Sequence, residues 1–211
     1  MNVGELFDLA ERLNGQPVPG VRMTETEFLQ WCDEELRAEW VNGRVILMPP
    51  VSDAHDDLDT WLIALIRLLA EEQDLGVVRQ DMFVRLSGQR RLRVPDVMFI
   101  SKERLQQLKP TFLDGAPDLV IEIISPDSQS RDRREKFGEY EKAGVREYWI
   151  IDPLSQTVEV YRLERRKFVL VETEGDAVAS SVLPKLKLKV SMFWQKPLPK
   201  IMSLVRHLGG R

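Results

Sequence analysis

The spacing of apolar residues along the chain changes period several times, and each change marks an element. The least ambiguous one spans residues 117–125. Leu119, Val120, Ile121, Ile123 and Ile124 form an almost unbroken, β-branched run between Pro117 and Pro126, the pattern of a strand covered on both faces. Glu122 interrupts it. An ionised carboxylate buried in such a strand is costly unless a cation, a metal or hydrogen-bond donors compensate, so its presence calls for a partner. The next segment, residues 130–143, is rich in helix formers, with Asp132 near its start, Lys136 and Tyr140 on one face at i and i+4, and Gly144 as a C-terminal stop. Residues 147–152 read as a second strand ended by Pro153. Strand, helix and strand in so short a stretch make a βαβ unit.

Upstream, residues 1–22 form an arm in which Leu6, Leu9, Ala10 and Leu13 make a short amphipathic pattern, broken by the Gly- and Pro-rich residues 14–20. Thr24 and Glu27 fit a capping box, with Met23 and Phe28 as a hydrophobic staple, and predict a helix over residues 24–35. Asn42-Gly43 between residues 37–41 and 44–48 predicts a two-residue hairpin turn. That register sets Glu39 opposite Ile46, either as a second carboxylate among apolar neighbours or on the wet face of an edge strand. Ser52 caps a helix over residues 52–73, whose Leu58, Trp61, Leu62, Leu65 and Leu69 are core packing. Residues 77–86 and 91–100 predict a further strand pair. Within it Asp96 follows Pro95, an edge or bulge signal, and precedes an apolar run. A short helix is expected over residues 101–109, a hairpin around the tip 164–166, and a half-buried strand over residues 182–190, where apolar residues alternate with lysine.

Composition adjusts this picture in three ways. A chain of 211 residues that is 43% hydrophobic can bury one α/β core with appended ends, and residues 23–190 are taken as that domain with 191–211 as a tail. One cysteine, Cys32, excludes a disulfide framework and a cysteine-rich zinc site. This agrees with a reducing cytosol, and the apolar helical pattern from Leu58 to Leu69 is too short to span a bilayer, so a cytoplasmic protein without a membrane partner is expected. The net charge of −4 is unevenly spread: residues 161–211 carry eleven Lys or Arg against four Asp or Glu, leaving the rest strongly acidic. A basic segment beside an acidic body can hold phosphates near a metal site, although scattered lysines also simply solvate strands.

Several chemistries are set aside, because the chain has no phosphate-binding P-loop, no dinucleotide-binding glycine motif and no nucleophile elbow. Two histidines cannot make a His-rich metal site; His55, in a helix's first turn, reads as a surface residue, with proton transfer as the other possibility. What remains is Glu39, Asp96 and Glu122 on three strands, with Lys136 on the helix that follows. Mg²⁺ is held by one or two carboxylates while keeping several waters, which suits phosphate chemistry. The lysine would orient a water or neutralise developing charge. The plainer alternative is that these acids are salt-bridged and that Lys136 pairs with Asp132 or Tyr140.

These segments carry a resemblance. PDVMFI, PDLVIEIISP, KFGEY from Lys136 to Tyr140, and AGVREYWIIDP, preceded by EWVNGRVILMPP and His55, resemble the Uma-two family of endonucleases within the PD-(D/E)XK restriction-endonuclease-like superfamily. The similarity covers Thr24 to Glu172. It implies an α/β (α+β) fold with a mixed-sheet core of αβββαβ order, and a Mg²⁺- or Mn²⁺-dependent endonuclease acting on nucleic acid, DNA in particular. Asp96 and Glu122 would be metal ligands, Glu39 a further ligand or water-positioning group, and Tyr140 and His55 would line the site. One departure stands out: the superfamily pattern places its lysine two residues after the acid, where this chain has Ile124, so Lys136 must reach in from the helix. Duplex cleavage by one site per chain would imply a homodimer. Two rivals share the sequence. A catalytically silent nucleic-acid-binding or assembly module would show separated or lysine-bridged carboxylates instead of three converging on one ion. A metal-free hydrolase with Asp96 and Glu122 as acid and base would leave Lys136 without a task.

Overall fold

Two mixed sheets of six strands each carry the fold, joined by a strand pair that bends out of one and into the other. The structure is a computed structural model, and it describes residues 8–10, 12–13, 15–32, 37–86, 88–125, 131–172 and 175–208, leaving out the side chains of residues 207 and 208. The mixed α/β architecture and the αβββαβ core agree with the reading of the chain.

The central sheet has β9 (Leu119–Ile123) near its middle, parallel to β10 (Glu147–Asp152) and antiparallel to β7 (Val97–Ser101). β4 (Gly76–Arg79) closes one edge, and β11 (Thr157–Glu164) and β12 (Lys167–Leu170) the other. All five residues of β9 are buried. Alternation sends Leu119, Ile121 and Ile123 to one face of the sheet, against the helix α2 (Asp53–Glu72), which Ser52 caps through its hydroxyl. Val120 and Ile124 go to the other face, against Tyr140 and Tyr148. Glu122 shares this second face. It is therefore covered by the segment linking β9 to β10: a wide π-helical turn over Arg131–Lys136 that continues as α3 (Phe137–Ala143) and ends at Gly144, whose φ of 87° suits the left-handed cap.

The second sheet runs in the order β1 (Pro17–Arg22), β3 (Arg44–Leu47), β2 (Ala38–Val41), β6 (Arg91–Arg93), β5 (Phe83–Leu86), β8 (Phe112–Asp114). The Asn42-Gly43 hairpin has the expected register, Glu39 opposite Ile46. β2 is interior, so the wet-edge alternative for Glu39 does not hold. The capping box of Thr24 and Glu27 opens α1 (Glu25–Trp31); residues 33–35 of the expected helix lie outside the described residues.

One expectation is corrected. The runs 77–86 and 91–100 are not two long strands but four short ones: β4 and β7 pair in the central sheet, β5 and β6 in the second. Both runs break at the corner. Pro95 has no N–H to donate to a ladder, and across from it Asp81 takes a φ of 47°. Strands that switch sheets do so at such interruptions. The expected strand at 182–190 is likewise shortened to β14 (Lys187–Lys189), paired with β13 (Ala177–Ala179).

β1 and the last described helix are both docked on the fold. β1 extends the second sheet, and α4 (Ile201–Leu208) lies against α2, with the Trp61 indole N–H donating to the Pro199 carbonyl at 2.8 Å. Phe193 is buried edge-on against Trp61, with ring centroids 5.7 Å apart. Phe193→Ala is expected to destabilise the fold by about 3–5 kcal/mol. A lower urea midpoint at unchanged slope would show it; an unchanged midpoint would mean that this segment is not part of the cooperative core. Among the described residues no helix is long and apolar enough to cross a membrane.

Candidate active site

The corner between the sheets assembles the site. Arg93 ends β6 in one sheet, and three residues later Asp96 precedes β7 in the other, beside Glu122 on the neighbouring strand. The backbone N–H of Ile123 donates to Asp96 Oδ2 at 2.7 Å, fixing that carboxylate at the end of β9. Its Oδ1 lies 3.3 Å from His55 Nε2. His55 is therefore not the surface residue expected: the first turn of α2 faces the sheet end, and the imidazole is mostly covered.

Lys136 does reach in from the helical segment. Its Nζ donates to Glu122 Oε2 at 2.8 Å and lies 3.2 Å from Asp132 Oδ1 and 3.5 Å from Glu39 Oε1. The Tyr140 hydroxyl donates to the other oxygen of Glu122 at 2.8 Å. Asp132, Lys136 and Tyr140 thus form one stripe at intervals of four, and the stripe lies over Glu122. Both partners anticipated for Lys136 as a plain salt bridge are close by, but Asp132 is one of three acids around it and Tyr140 bonds to Glu122 instead.

Glu39 has a different setting. Its Oε2 accepts from Arg93 Nη1 at 2.7 Å and its Oε1 from the Val94 N–H at 3.2 Å. Arg93 is completely buried and also donates to both carboxylate oxygens of Glu139 on α3, at 2.7 and 2.9 Å. Glu39 is thus held among cations rather than presented to an ion. Among the described residues no three of His, Cys, Asp and Glu stand together as a metal cage, so the convergence of Glu39, Asp96 and Glu122 on one point is not found. Lys136 bridges Glu39 and Glu122 instead.

The electrostatics follow from this crowding. Burial acts to raise the pKa of Glu39, but Lys136, Arg93 and Arg131 outweigh it and bring the value down to about 2. For Asp96, burial is likewise outweighed, by His55, Lys136 and the Ile123 N–H, and the carboxyl sits below its ordinary range. Glu122 goes the other way: burial, with Asp132 and Asp96 nearby, pushes it well above the usual range despite Lys136. Burial would lower Lys136, yet Asp132, Glu122 and Glu39 raise it, so it is an ammonium throughout the working pH range. The centre as a whole is short of positive charge. Asp59, one turn after His55 on α2, is pushed up to about 7 by burial and by Asp96.

Glu39 carries a prediction of its own. Its carboxyl titrates near 4.5 in an unfolded chain and about 2 in the fold. The depressed value contributes about 3 kcal/mol of stability, complete above the unfolded pKa and lost as pH falls towards the folded one. Glu39→Gln is expected to flatten the acid limb of a plot of melting temperature against pH between pH 4.5 and about 2. An acid limb identical to the wild type would remove Glu39 from this account.

The site opens into a cleft of about 330 Å³, lined by Asp96, Glu122, Lys136, His55, Asp132 and Arg131, among others. Arg93, Asp132, Arg131 and Asp59 are the members that reading the chain did not single out as site residues. The spacing of Asp132 from Lys136 and of Asp59 from His55 was a usable signal, each being four residues on a helical segment. Arg93, in the run Arg91-Leu92-Arg93, gave none, because alternation there resembles an ordinary basic outer face.

A family model described as "Putative restriction endonuclease", the Uma2 family, matches residues 26–191. Among curated proteins, the chain is 27% identical over 163 residues to the uncharacterized protein sll1609 of Synechocystis, covering 73% of this chain and 89% of that one. It is 23% identical over 145 residues to a second Synechocystis protein, slr1290, covering 68% and 75%. Among solved structures, a crystal structure titled as "a putative nuclease belonging to DUF820" from Anabaena variabilis superposes with a TM-score of 0.68 at 23% identity, covering 82% of this chain and 97% of that one. That likeness speaks for the fold, and the family match spans both sheets except β1, and includes Asp96, Glu122 and Lys136. The chain belongs to the Uma2 family of restriction endonuclease-like proteins.

Proposed function

We propose that the protein is a divalent-metal-dependent endonuclease that hydrolyses phosphodiester bonds of nucleic acid, DNA in particular. The observation that carries this reading is the meeting of Asp96, Glu122 and the Lys136 ammonium at one end of the central sheet, all lining the same cleft.

The donor set fits such an ion. Mg²⁺ needs only one or two carboxylates and keeps its other positions for water, so the lack of a three-residue cage among the described residues does not weigh against it. Four buried carboxylates, Glu39, Asp96, Glu122 and Asp132, stand beside two buried cations, Arg93 and Lys136, and a divalent charge would balance the difference. Asp96 and Glu122 would hold the ion. A bound Mg²⁺ or Mn²⁺ would polarise a phosphoryl oxygen and lower the pKa of a coordinated water. The chain's own groups do the rest. His55 and the Ile123 N–H fix the orientation of Asp96, and Tyr140 fixes Glu122. Lys136, kept protonated by its three acids, acts as a donor and not as a base, directing an attacking water or neutralising charge that develops on the phosphoryl group. Glu39, held by Arg93, is assigned the task of steadying Lys136, in place of direct ligation.

Carboxylates bridged by a lysine, with no three converging on one point among the described residues, are the arrangement expected of the silent binding module, and this observation favours that rival. Cleavage decides between the two. Purified protein incubated with single- and double-stranded DNA and RNA, with Mg²⁺ or Mn²⁺ titrated from zero, is expected to show metal-dependent cleavage of DNA. No cleavage under any of these conditions would leave the binding module as the better reading. The metal-free acid-base hydrolase would draw on the raised Glu122 as its acid, but it gives the Lys136 ammonium 2.8 Å away no part in the reaction.

A further inference from the structure

The walls of the cleft differ in character from its floor. Asp96, Glu122 and Lys136 are its polar centre, but its rim is apolar on two sides. One side is Pro49, Pro50 and Val51, in the loop between β3 and α2; the other is Pro153 and Leu154, just after β10. Val51 is 40% exposed and Leu154 71%, the largest exposure among the apolar side chains of the rim. Leu154 is not loosely placed. Asp152 Oδ1 accepts from the backbone N–H groups of Leu154 and Ser155 at 3.0 and 3.1 Å, and Arg133 donates to Asp152 Oδ2 at 3.1 Å. The loop thus holds an apolar side chain out at the mouth of a charged cleft, where packing gives it no purpose.

Two arginines join these jaws in the lining. Arg37, which also pairs with Asp81 at 2.9 Å, has its charge near His55, and Arg131 has its charge near Glu39 and Lys136, so they stand by different members of the acidic centre. The Nε of each is buried without a hydrogen-bond partner among the described residues. A cleft of about 330 Å³ lies at the small end of the range that encloses a small-molecule-sized group, roughly 300 to 1,000 Å³. It is of a size to enclose one unit of a chain ligand.

Resting on the phosphodiesterase reading, we propose that the cleft takes a single polynucleotide strand. One unstacked base lies between Pro50–Val51 and Pro153–Leu154, and the flanking phosphates lie against Arg37 and Arg131. Enzymes that enclose a base in a pocket act on single strands or extrude the base, and they hold it between apolar faces. Intact duplex is then a poor substrate, whereas single strands, frayed ends and flaps are good ones.

The test separates strand choice from catalysis. A single-stranded DNA oligonucleotide carrying one 2-aminopurine is titrated with wild-type protein in the absence of divalent ions, and the same oligonucleotide is titrated as a blunt duplex. The expected result is a saturable fluorescence change for the single strand, with affinity at least about tenfold tighter than for the duplex. Leu154→Ser and Val51→Ser, both at exposed positions, should weaken single-strand binding about five- to tenfold with unchanged thermal melts. Arg131→Gln should lower the slope of log affinity against log salt by about 0.7. Equal affinity for duplex and single strand, or no effect of Leu154→Ser, would overturn the inference. Metal-dependent cutting of duplex as fast as single strand would also overturn it while leaving the nuclease assignment standing. Strand-selective binding without cleavage under any metal would uphold the strand preference and remove the nuclease assignment.

Discussion

Replacing Glu122 with glutamine is expected to abolish metal-dependent cleavage and, at neutral pH, to leave the fold as stable as the wild type or more so. The loss of activity should be about a thousandfold or more, because one of the two anionic holders of the ion is removed and metal assistance is worth several kcal/mol of barrier. The stability half of the prediction is less usual, and it follows from the surroundings of the residue. Removing one partner of a buried ion pair normally costs about 3–5 kcal/mol, because it strands the other charge. Lys136 is not stranded here: Asp132 and Glu39 remain 3.2 and 3.5 Å from its Nζ. What the substitution removes is a carboxylate whose proton affinity the fold has raised through burial and through Asp132 and Asp96. A raised carboxyl pKa favours the protonated fold, so the penalty on the wild type is absent below the unfolded value of 4.5 and grows as pH rises above it. The melting temperature of Glu122→Gln should therefore exceed that of the wild type at pH 7 by a few degrees, with the gap closing towards pH 4.5. Mg²⁺ should raise the melting temperature of the wild type and not that of the variant. A variant that melts well below the wild type at pH 7, or one that still cuts at a comparable rate, would contradict this account of Glu122.

Much of this centre could be read in the chain because burial and charge conflict openly there. Glu122 stands in an apolar strand, and only a buried partner explains it; Lys136 and Tyr140, four residues apart on the next helical segment, are where that partner was sought and where it lies. Asn42-Gly43 fixed the register that brings Glu39 inward, since a two-residue turn leaves little freedom. Ile124 carries no charge, and the ammonium beside Glu122 comes from Lys136 on the following helical segment.

The parts that escaped have a common cause: they depend on which sheet a residue belongs to, and local pattern is blind to that. The run from Arg91 to Ile100 has strand character throughout, so the corner at Pro95 was visible only as an irregularity. That corner turns Arg93 into the fully buried centre of a network with Glu39 and Glu139. Glu39 could then be read as a buried acid but not as one already satisfied by an arginine. Asp118 illustrates the same limit from the other side. It follows a proline before a strand just as Asp96 does, yet it accepts from the Ser101 N–H at 2.7 Å and from Arg146 at 3.0 Å, with Arg104 at 3.3 Å. Identical local signals mark one structural and one candidate catalytic aspartate, and only the neighbours separate them.

Those neighbours make Lys136 the residue whose loss should be felt most by the fold. Lys136→Met keeps much of the apolar stem and removes the ammonium from among Glu122, Asp132 and Glu39. Glu39 retains Arg93, but Glu122 keeps only the Tyr140 hydroxyl, and Asp132 Oδ1 has no hydrogen-bond partner among the described residues even with the lysine in place. Uncompensated buried charge of this kind costs about 3–5 kcal/mol. In a chain of this size that is a fall in melting temperature on the order of 10 °C. The pH dependence between pH 7 and pH 5 should steepen. In the wild type, Glu39 and Asp96 have lowered pKa values and keep their contribution until the pH falls below the unfolded values, so the raised Glu122 alone sets the slope there. In the variant, Glu122 has lost the ammonium that opposed its protonation and gains a proton still more readily in the fold than in the unfolded chain, so moving from pH 7 to pH 5 should recover part of the loss. Millimolar Mg²⁺ should recover more of it in the variant than it adds to the wild type, because two positive charges enter a centre that has just lost one. Cleavage should nevertheless stay low, since no donor remains to act on the water or the developing charge. Thermal melts of both proteins at pH 5 and 7, with and without Mg²⁺, carry the decision. A variant that melts like the wild type at pH 7, or whose loss deepens at pH 5, would show that the ammonium does not hold these carboxylates together.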